Sequence, residues 1–249
     1  MKKTTVPEKG FYFRETDHRY FYDGTPLTGV TTVLGTLNKP ALIGWAAKMA
    51  VEYVSENRTK IINEKSQLIT EEFDKVLEEA KTAHARKRDT AAEKGTDLHA
   101  LAETWVKRCM TENGGMAVSS EEKSIFPFTN WAVANKIKFL ESEKKMYAED
   151  IGLAGTCDLV FEKDGKKYVG DIKTTSGIYD MSPFLQCAAY RLMLEKMGET
   201  GFYGSLIIRL GKDGSFEEFY RLDEKGEDMD TFLSLFKVYK AVNHFKNTL

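Results

Sequence analysis

The stretch AGTCDLVFEKDGKKYVGDIKTT, from Ala154 to Thr175, decides the fold. Asp164-Gly165 stands between two runs rich in Val, Leu, Ile and aromatic residues. This is the signature of a two-residue type I′ hairpin, and such a turn fixes the register of the strands on either side. The register sets Asp158 directly opposite Asp171, Cys157 opposite Ile172, Leu159 opposite Gly170, and Phe161 opposite Tyr168. The face carrying those last three pairs is apolar and reads as core. The other face presents Asp158, Val160, Val169, Asp171 and Lys173. Directly opposed side chains have Cβ atoms about 4.5 to 5.5 Å apart, where like charges destabilise unless something compensates. A divalent cation compensates, and hard oxygen ligands at this spacing suit Mg²⁺ or Mn²⁺. The lysine on that face lies within reach of whatever the metal polarises. The alternative is a solvated face on which two acids and a lysine form a surface ion pair. Val160 and Val169 weigh against it, because they call for at least partial cover.

Outward from the hairpin the periodicity changes. A strand is predicted upstream, near Glu143 to Ala148. Downstream come a helix from Pro183 to Met197, strands near Phe202 to Leu210 and Phe216 to Leu222, and a final helix from Met229 to about Phe245. The texture from Pro40 to Arg108 is helical, broken between Glu56 and Thr70. Gly95-Thr96 interrupts it again, with Thr96 as N-cap of a new helix carrying Leu98, Leu101, Trp105 and Val106 on one stripe. A loop from Thr111 to Ser120 and a helix from Glu121 through Phe139 follow, with Pro127 at its start or at a kink. The opening run GFYFRETDHRYFYDGTPLTGVTTVLG is aromatic and β-branched, and Asp23-Gly24 marks a second hairpin. This order predicts an α/β core with an amino-terminal, mostly helical layer. Residues 1–90 form the hairpin and helical layer and residues 91–249 the core, in one compact unit.

A chain of 249 residues, 42% of them hydrophobic, can bury one sizeable core, which excludes a disordered protein. Charges interrupt every apolar run before the roughly 20 residues of a membrane span, and the amino terminus lacks a secretory pattern. A soluble, cytoplasmic protein with no membrane partner is expected. Cys109, Cys157 and Cys187 are odd in number and widely spaced, which fits reduced, buried thiols and neither a disulfide framework nor a CxxC metal site. With 36 basic and 38 acidic residues the net charge of -2 offers no global attraction to a polyanion. A nucleic-acid partner would need a local field, for which Arg86, Lys87, Arg88, Lys144, Lys145, Lys166, Lys167 and Lys173 are candidates.

Asp158 followed by Asp171-Ile172-Lys173 resembles the PD-(D/E)xK nuclease superfamily. Three further stretches narrow the resemblance to its RecB-like exonuclease branch. Gly95-Thr96-Asp97-Leu98-His99 resembles the GTxxH motif, Gly155-Thr156-Cys157-Asp158-Leu159 the GTxDL strand, and Gln186-Cys187-Ala188-Ala189-Tyr190 the QxxxY helix. The chain is similar in spacing to phage-encoded and mitochondrial genome-maintenance exonucleases, over roughly residues 91 to 210. The resemblance implies a restriction-endonuclease-like core, a central mixed sheet flanked by helices. It implies divalent-metal-dependent hydrolysis of DNA phosphodiester bonds, from an end, in phage or prophage recombination, repair or DNA-end processing. DNA and a phage recombination protein are the implied partners.

Carried over residue by residue, the resemblance makes His99, Asp158, Asp171 and the backbone carbonyl of Ile172 ligands of Mg²⁺ or Mn²⁺, and Lys173 the catalytic lysine. Glu143 is a second-rank ligand, opposite Asp158 if the preceding turn is centred between Asp150 and Ile151. Gln186, Tyr190, Thr96 and Thr174 are implied to contact DNA or support the site. The branch's iron-sulfur variants use four cysteines, so no cluster is expected from a chain with three. By composition alone, Gln186 and Tyr190 are equally a buried polar pair on one helix face. Trp45, Tyr12, Phe13 and Tyr20 are core residues or surfaces on which single-stranded bases stack. Two rival functions share these motifs: a structure-specific or nicking endonuclease, and a DNA-binding module of the same fold without catalysis. The full set of His99, Asp158, Asp171 and Lys173 weighs against the latter.

Overall fold

The computed structural model of the protein describes residues 9–37, 39–63, 65, 67–111, 117–223 and 225–248. The chain forms two compact units, Met1–Leu37 with Leu98–Leu249, and Asn38–Asp97. In chain order the elements are β1 (Phe11–Arg14), β2 (Arg19–Tyr22), β3 (Thr25–Gly29), α1 (Val30–Leu34), α2 (Pro40–Glu56), α3 (Thr70–Lys81) and α4 (Ala83–Thr111). After a 3₁₀ turn at Ser120–Ile125 come α5 (Phe126–Ala134), β4 (Lys138–Ala148), β5 (Leu153–Lys163), β6 (Lys166–Lys173), α6 (Ser182–Lys196), β7 (Phe202–Leu210), β8 (Phe216–Arg221) and α7 (Glu227–Thr248). The amino-terminal hairpin thus belongs to the sheet unit, whereas the sequence groups it with the helical layer.

The sheet unit is α/β. Its eight strands make one mixed sheet in the order β1-β2-β3-β5-β6-β7-β8, with β4 also paired to β5. Helices cover both faces. Val160, Val169 and Ile207 pack with Leu185, Tyr190 and Met193 of α6 and Phe232 of α7. Leu159, Phe161, Leu206 and Ile208 pack with Ala102, Trp105 and Val106 of α4 and Phe128 and Trp131 of α5. A central strand buried on both sides reads as a continuous apolar run, as Leu206-Ile207-Ile208 does. The hairpin therefore has two core faces where the alternation pattern assigns one.

The β5–β6 turn at Asp164-Gly165 has both residues at positive φ (52° and 72°), and the ladder runs from Lys163↔Lys166 to Leu159↔Gly170 in the expected register. Asp23-Gly24 turns β2 into β3 in the same way. Three expectations fail. Gly95-Thr96 does not break the helix: α4 is continuous, and Thr96 Oγ1 donates to Ala92 O (3.0 Å) instead of capping a new segment. An internal glycine costs about 1 kcal/mol relative to alanine, less than the burial of Ala102, Trp105 and Val106 returns. The helix expected from Glu121 through Phe139 is a 3₁₀ turn followed by α5, which stops at Ala134. Lys136 then adopts φ 49°, a left-handed stop, so β4 begins at Lys138, five residues before the predicted start. The 3₁₀ turn is closed by a capping box between Ser119 and Glu122. Of the expected loop, residues 112–116 lie outside the described residues, as do residues 1–8, on which the expected lack of a leader rests.

In the second unit the Tyr53 hydroxyl donates to Glu79, Arg86 lies over the Tyr53 ring (4.9 Å), and Trp45 meets His84 edge-on. Trp45 is thus a packing residue here. The three cysteines are buried. Among the described residues no helix is long and apolar enough to cross a membrane.

Candidate functional site

β5 loses its neighbours on one edge over a short span. β3 pairs in parallel with Leu153 and Ala154 and then turns into α1, while β6 pairs with Leu159 onward. From Asp171 to Lys173, β6 runs beside β7. The edge of β5 from Gly155 to Asp158 is left open in a crevice at diverging strand ends, the place where α/β sheets bind ligands. Tyr20, Glu143, Thr156, Asp158, Gln186 and Tyr190 line it.

The alternation of β5 slips at the same point. Cys157 belongs with the α6-side cluster and Leu159, two residues on, with the α4–α5 side. Cys157 therefore does not share a face with Ile172 as the register had it. The ladder stops at Leu159↔Gly170, so the directly opposed pair Asp158–Asp171 does not form as a strand pair. Instead the Ile172 N–H donates to Asp158 Oδ2 (2.7 Å), a side chain standing in for the missing backbone acceptor. On β4, Ser142↔Leu159 and Lys144↔Cys157 bracket Glu143 at the level of Asp158, the register the sequence proposed. Glu143 has φ 52°, a conformation that costs about 1 to 3 kcal/mol in a residue other than glycine and clusters at functional sites.

Asp158 faces α4: His99 Nε2 lies 3.0 Å from Asp158 Oδ2. This hydrogen bond raises the imidazole to about 9, against the opposing effect of burial. His99 sits well inside α4, not in the first turn of a helix as predicted. Asp171 faces α6 and is fully buried; burial pushes its carboxyl up to about 7, although Lys173 pulls the other way. Lys173 Nζ donates to Asp171 Oδ1 and to Gln186 Oε1 (both 3.0 Å), and Gln186 Nε2 donates to the Tyr190 hydroxyl (2.7 Å). Burial would lower the lysine, but Asp171 and Asp158 hold it above its ordinary value. Burial, then Asp158 and Glu103, raise Glu143 to about 7. Two buried oxygens, Glu143 Oε1 and Asp171 Oδ2, accept no hydrogen bond, although the second lies 2.8 Å from Lys173 Nζ. A buried carboxylate oxygen without a hydrogen bond is costly; the Lys173 ammonium offsets this at Asp171, and at Glu143 a cation would satisfy it.

His99, Glu103 and Glu143 offer ligand atoms all within 4.8 Å of one another, a triad able to hold a metal ion. The sequence reading missed Glu103. Its signal was the His99–Glu103 spacing of four, which puts both side chains on one helix face. Ile172 is buried with its N–H on Asp158, and Thr174 follows the end of β6 half-buried. Thr96 lies in the other unit, bonded to its own helix. The basic residues proposed for a local field are largely spoken for: Lys144 and Lys167 converge on Glu199, Lys145 pairs with Glu15, and Lys166 lies over the Tyr203 ring. Arg86 lies over Tyr53, while Lys87 pairs with Glu52 and Arg88 with Asp89.

Gly155 has a packing reason. A Cβ there would stand 2.8 Å from Tyr190 Cε1 and 3.3 Å from Met193 Cε and Val30 Cγ2. Gly155→Ala should destabilise the protein by about 1 to 3 kcal/mol, the usual range for overpacking, and displace Tyr190 from Gln186. Urea unfolding of this variant beside wild type measures the first; an unchanged midpoint contradicts it.

No protein-family model matches the sequence, and no curated protein matches it. A solved structure titled "Crystal structure of SSO0001" is similar over 56% of this chain and 74% of that one, with 14% identity and a TM-score of 0.26. So distant a likeness carries no argument about fold or function.

Proposed function

We propose that the protein is a divalent-metal-dependent nuclease that hydrolyses DNA phosphodiester bonds from an end, on a restriction-endonuclease-like core. One observation carries this reading: Asp158, Asp171 and a lysine hydrogen-bonded to Gln186 converge at an open strand edge, beside the triad of His99, Glu103 and Glu143. The motif resemblance over residues 91 to 210 supports the exonuclease branch, and phage or prophage recombination or DNA-end processing is the setting that goes with it.

The residues suit Mg²⁺ or Mn²⁺. Carboxylate oxygens predominate, Glu143 Oε1 accepts no hydrogen bond, and His99 adds one nitrogen that Mn²⁺ accepts readily. His99, Glu103 and Glu143 are the residues that would hold the ion, with Asp158, 3.0 Å from His99, and Asp171 as the further acids that the motif resemblance adds. When bound, it would offset phosphate charge and make water a stronger nucleophile at neutral pH. The protein's own groups do the rest. Asp171 and Gln186 hold the Lys173 ammonium in place, ready to donate to an oxygen on which charge develops. His99 must release the proton that Asp158 stabilises before its ring can ligate, so metal uptake should release protons.

Two experiments test the reading. End-labelled linear DNA should be degraded progressively with Mg²⁺ or Mn²⁺, while circular single strands and supercoiled plasmid stay intact. Equal rates on both would replace the exonuclease with an endonuclease, and no cleavage of any substrate would remove the nuclease reading. Glu103→Gln should weaken Mn²⁺ binding by about tenfold or more, the low end of what disturbing a metal site costs. Calorimetry reads this, and an affinity equal to wild type excludes Glu103 as a ligand.

A further inference from the structure

Five aromatic rings of the described residues belong to neither core cluster and form an unbroken run that meets the candidate site at Tyr20. Tyr22 and Tyr147 have centroids 5.2 Å apart, Tyr147 and Phe11 4.5 Å, Phe11 and Tyr20 6.2 Å, and Tyr20 and Phe13 4.8 Å. Lys145 Nζ closes the run 4.8 Å from the centre of the Phe13 ring. Strand alternation produces the arrangement. Phe11 and Phe13 share a face of β1 and pair with Tyr22 and Tyr20 on β2. Tyr147 and Lys145 share a face of β4, and Glu143, two residues beyond Lys145 on the same strand, lines the crevice. The Tyr20 hydroxyl meets Thr156 Oγ1 (2.8 Å), which joins the hairpin to the crevice where Glu143 and Asp158 stand.

All five rings are half-buried. A hairpin that needed only a small core of its own would bury some of them. Here they line a strip continuous with the site, with an exposed cation at one end whose pair with exposed Glu15 is a surface one and exchangeable.

We infer that this strip is a stacking platform for the unpaired bases of a DNA strand whose backbone enters the crevice, an inference that rests on the nuclease reading above. Aromatic faces accept any base, and Lys145 can follow the backbone as a point charge, so the strip favours single strands with little regard to sequence. Duplex bases, stacked on one another, have no free faces to offer it.

The test uses Phe13→Leu and Tyr147→Leu, which keep apolar volume but lose the ring. Affinity for oligo(dT), and for an abasic oligomer of the same length, is read by fluorescence anisotropy with Ca²⁺ in place of Mg²⁺. Melting temperatures are taken alongside. Each variant should bind oligo(dT) about fivefold or more weakly, the low end for one base stacked on an aromatic ring. Affinity for the abasic oligomer should stay as in wild type, and Phe13→Trp should restore oligo(dT) binding. If both leucine variants bind oligo(dT) like wild type, or lose both ligands equally, the platform is overturned while cleavage of linear DNA keeps the nuclease reading standing. If the wild-type protein neither binds nor cuts DNA, both fall together.

Discussion

Asp171→Asn should lower metal-dependent cleavage by about 10³, the upper end of the scale on which losing one element of a preorganised electrostatic site acts, with fold and DNA affinity retained. Asparagine fills the same volume in a fully buried position and still accepts from Lys173, so strand β6 has no reason to move. What disappears is the negative charge that a cation and the lysine share. The same substitution has a signature in the metal-free protein. The folded state holds the Asp171 proton up to about pH 7, above the ordinary 3.8 of the unfolded chain. It therefore binds more protons than the unfolded state between those values, and stability present at low pH is lost as pH rises through 7. Glu143, raised to about 7, and His99, raised to about 9, act in the same direction. In EDTA the wild-type melting temperature should fall between pH 5 and pH 9, Asp171→Asn should show a shallower fall, and Mn²⁺ should recover most of the loss at high pH. Cleavage by Asp171→Asn at the wild-type rate would sink the site assignment; identical pH slopes would show that Asp171 is not the carboxyl that burial protonates.

Local turn chemistry made the centre of this site legible. Asp164-Gly165 demands two positive φ values, and the ladder it nucleates keeps its register for five pairs. The Glu143 level was legible too, because β4 and β5 are joined by a short connection. What could not be read is the slip at Asp158. Alternation is a rule about regular strands, and the residues that break it here, Glu143 and Asp158, look like ordinary exposed strand acids in sequence. The slip turns Asp158 toward α4 and leaves Asp171 with α6, so the two acids reach the gap from different elements rather than side by side. Glu103 was missed for a different reason. Its spacing of four from His99 puts both on one helix face wherever the helix starts, but an acid on an amphipathic helix looks like a solvated residue until the fold sets it beside Glu143.

Lys173→Met should lower the single-turnover rate by about 10² to 10³, by analogy with removing one oxyanion-hole donor, without weakening the metal. The ammonium is not a ligand; it occupies Asp171 from 2.8 Å and competes with a cation for that carboxylate. Removing it should therefore leave Mn²⁺ affinity equal to wild type or tighter, the opposite sign from Glu103→Gln. Methionine keeps the length and apolar stem of the lysine, so the loss reads the charge and not a cavity. The variant should also push the Asp171 carboxyl further up, since the lysine's attraction is what offsets burial. Metal-free stability should then fall more steeply with rising pH than in wild type. Gln186→Leu gives the control on positioning: with its carbonyl gone the ammonium keeps Asp171 alone, so the rate should fall by less than in Lys173→Met while metal affinity stays put. Calorimetry showing that Lys173→Met binds no Mn²⁺ would make the lysine a structural counter-ion of the site, and its proposed role toward the phosphate would be withdrawn.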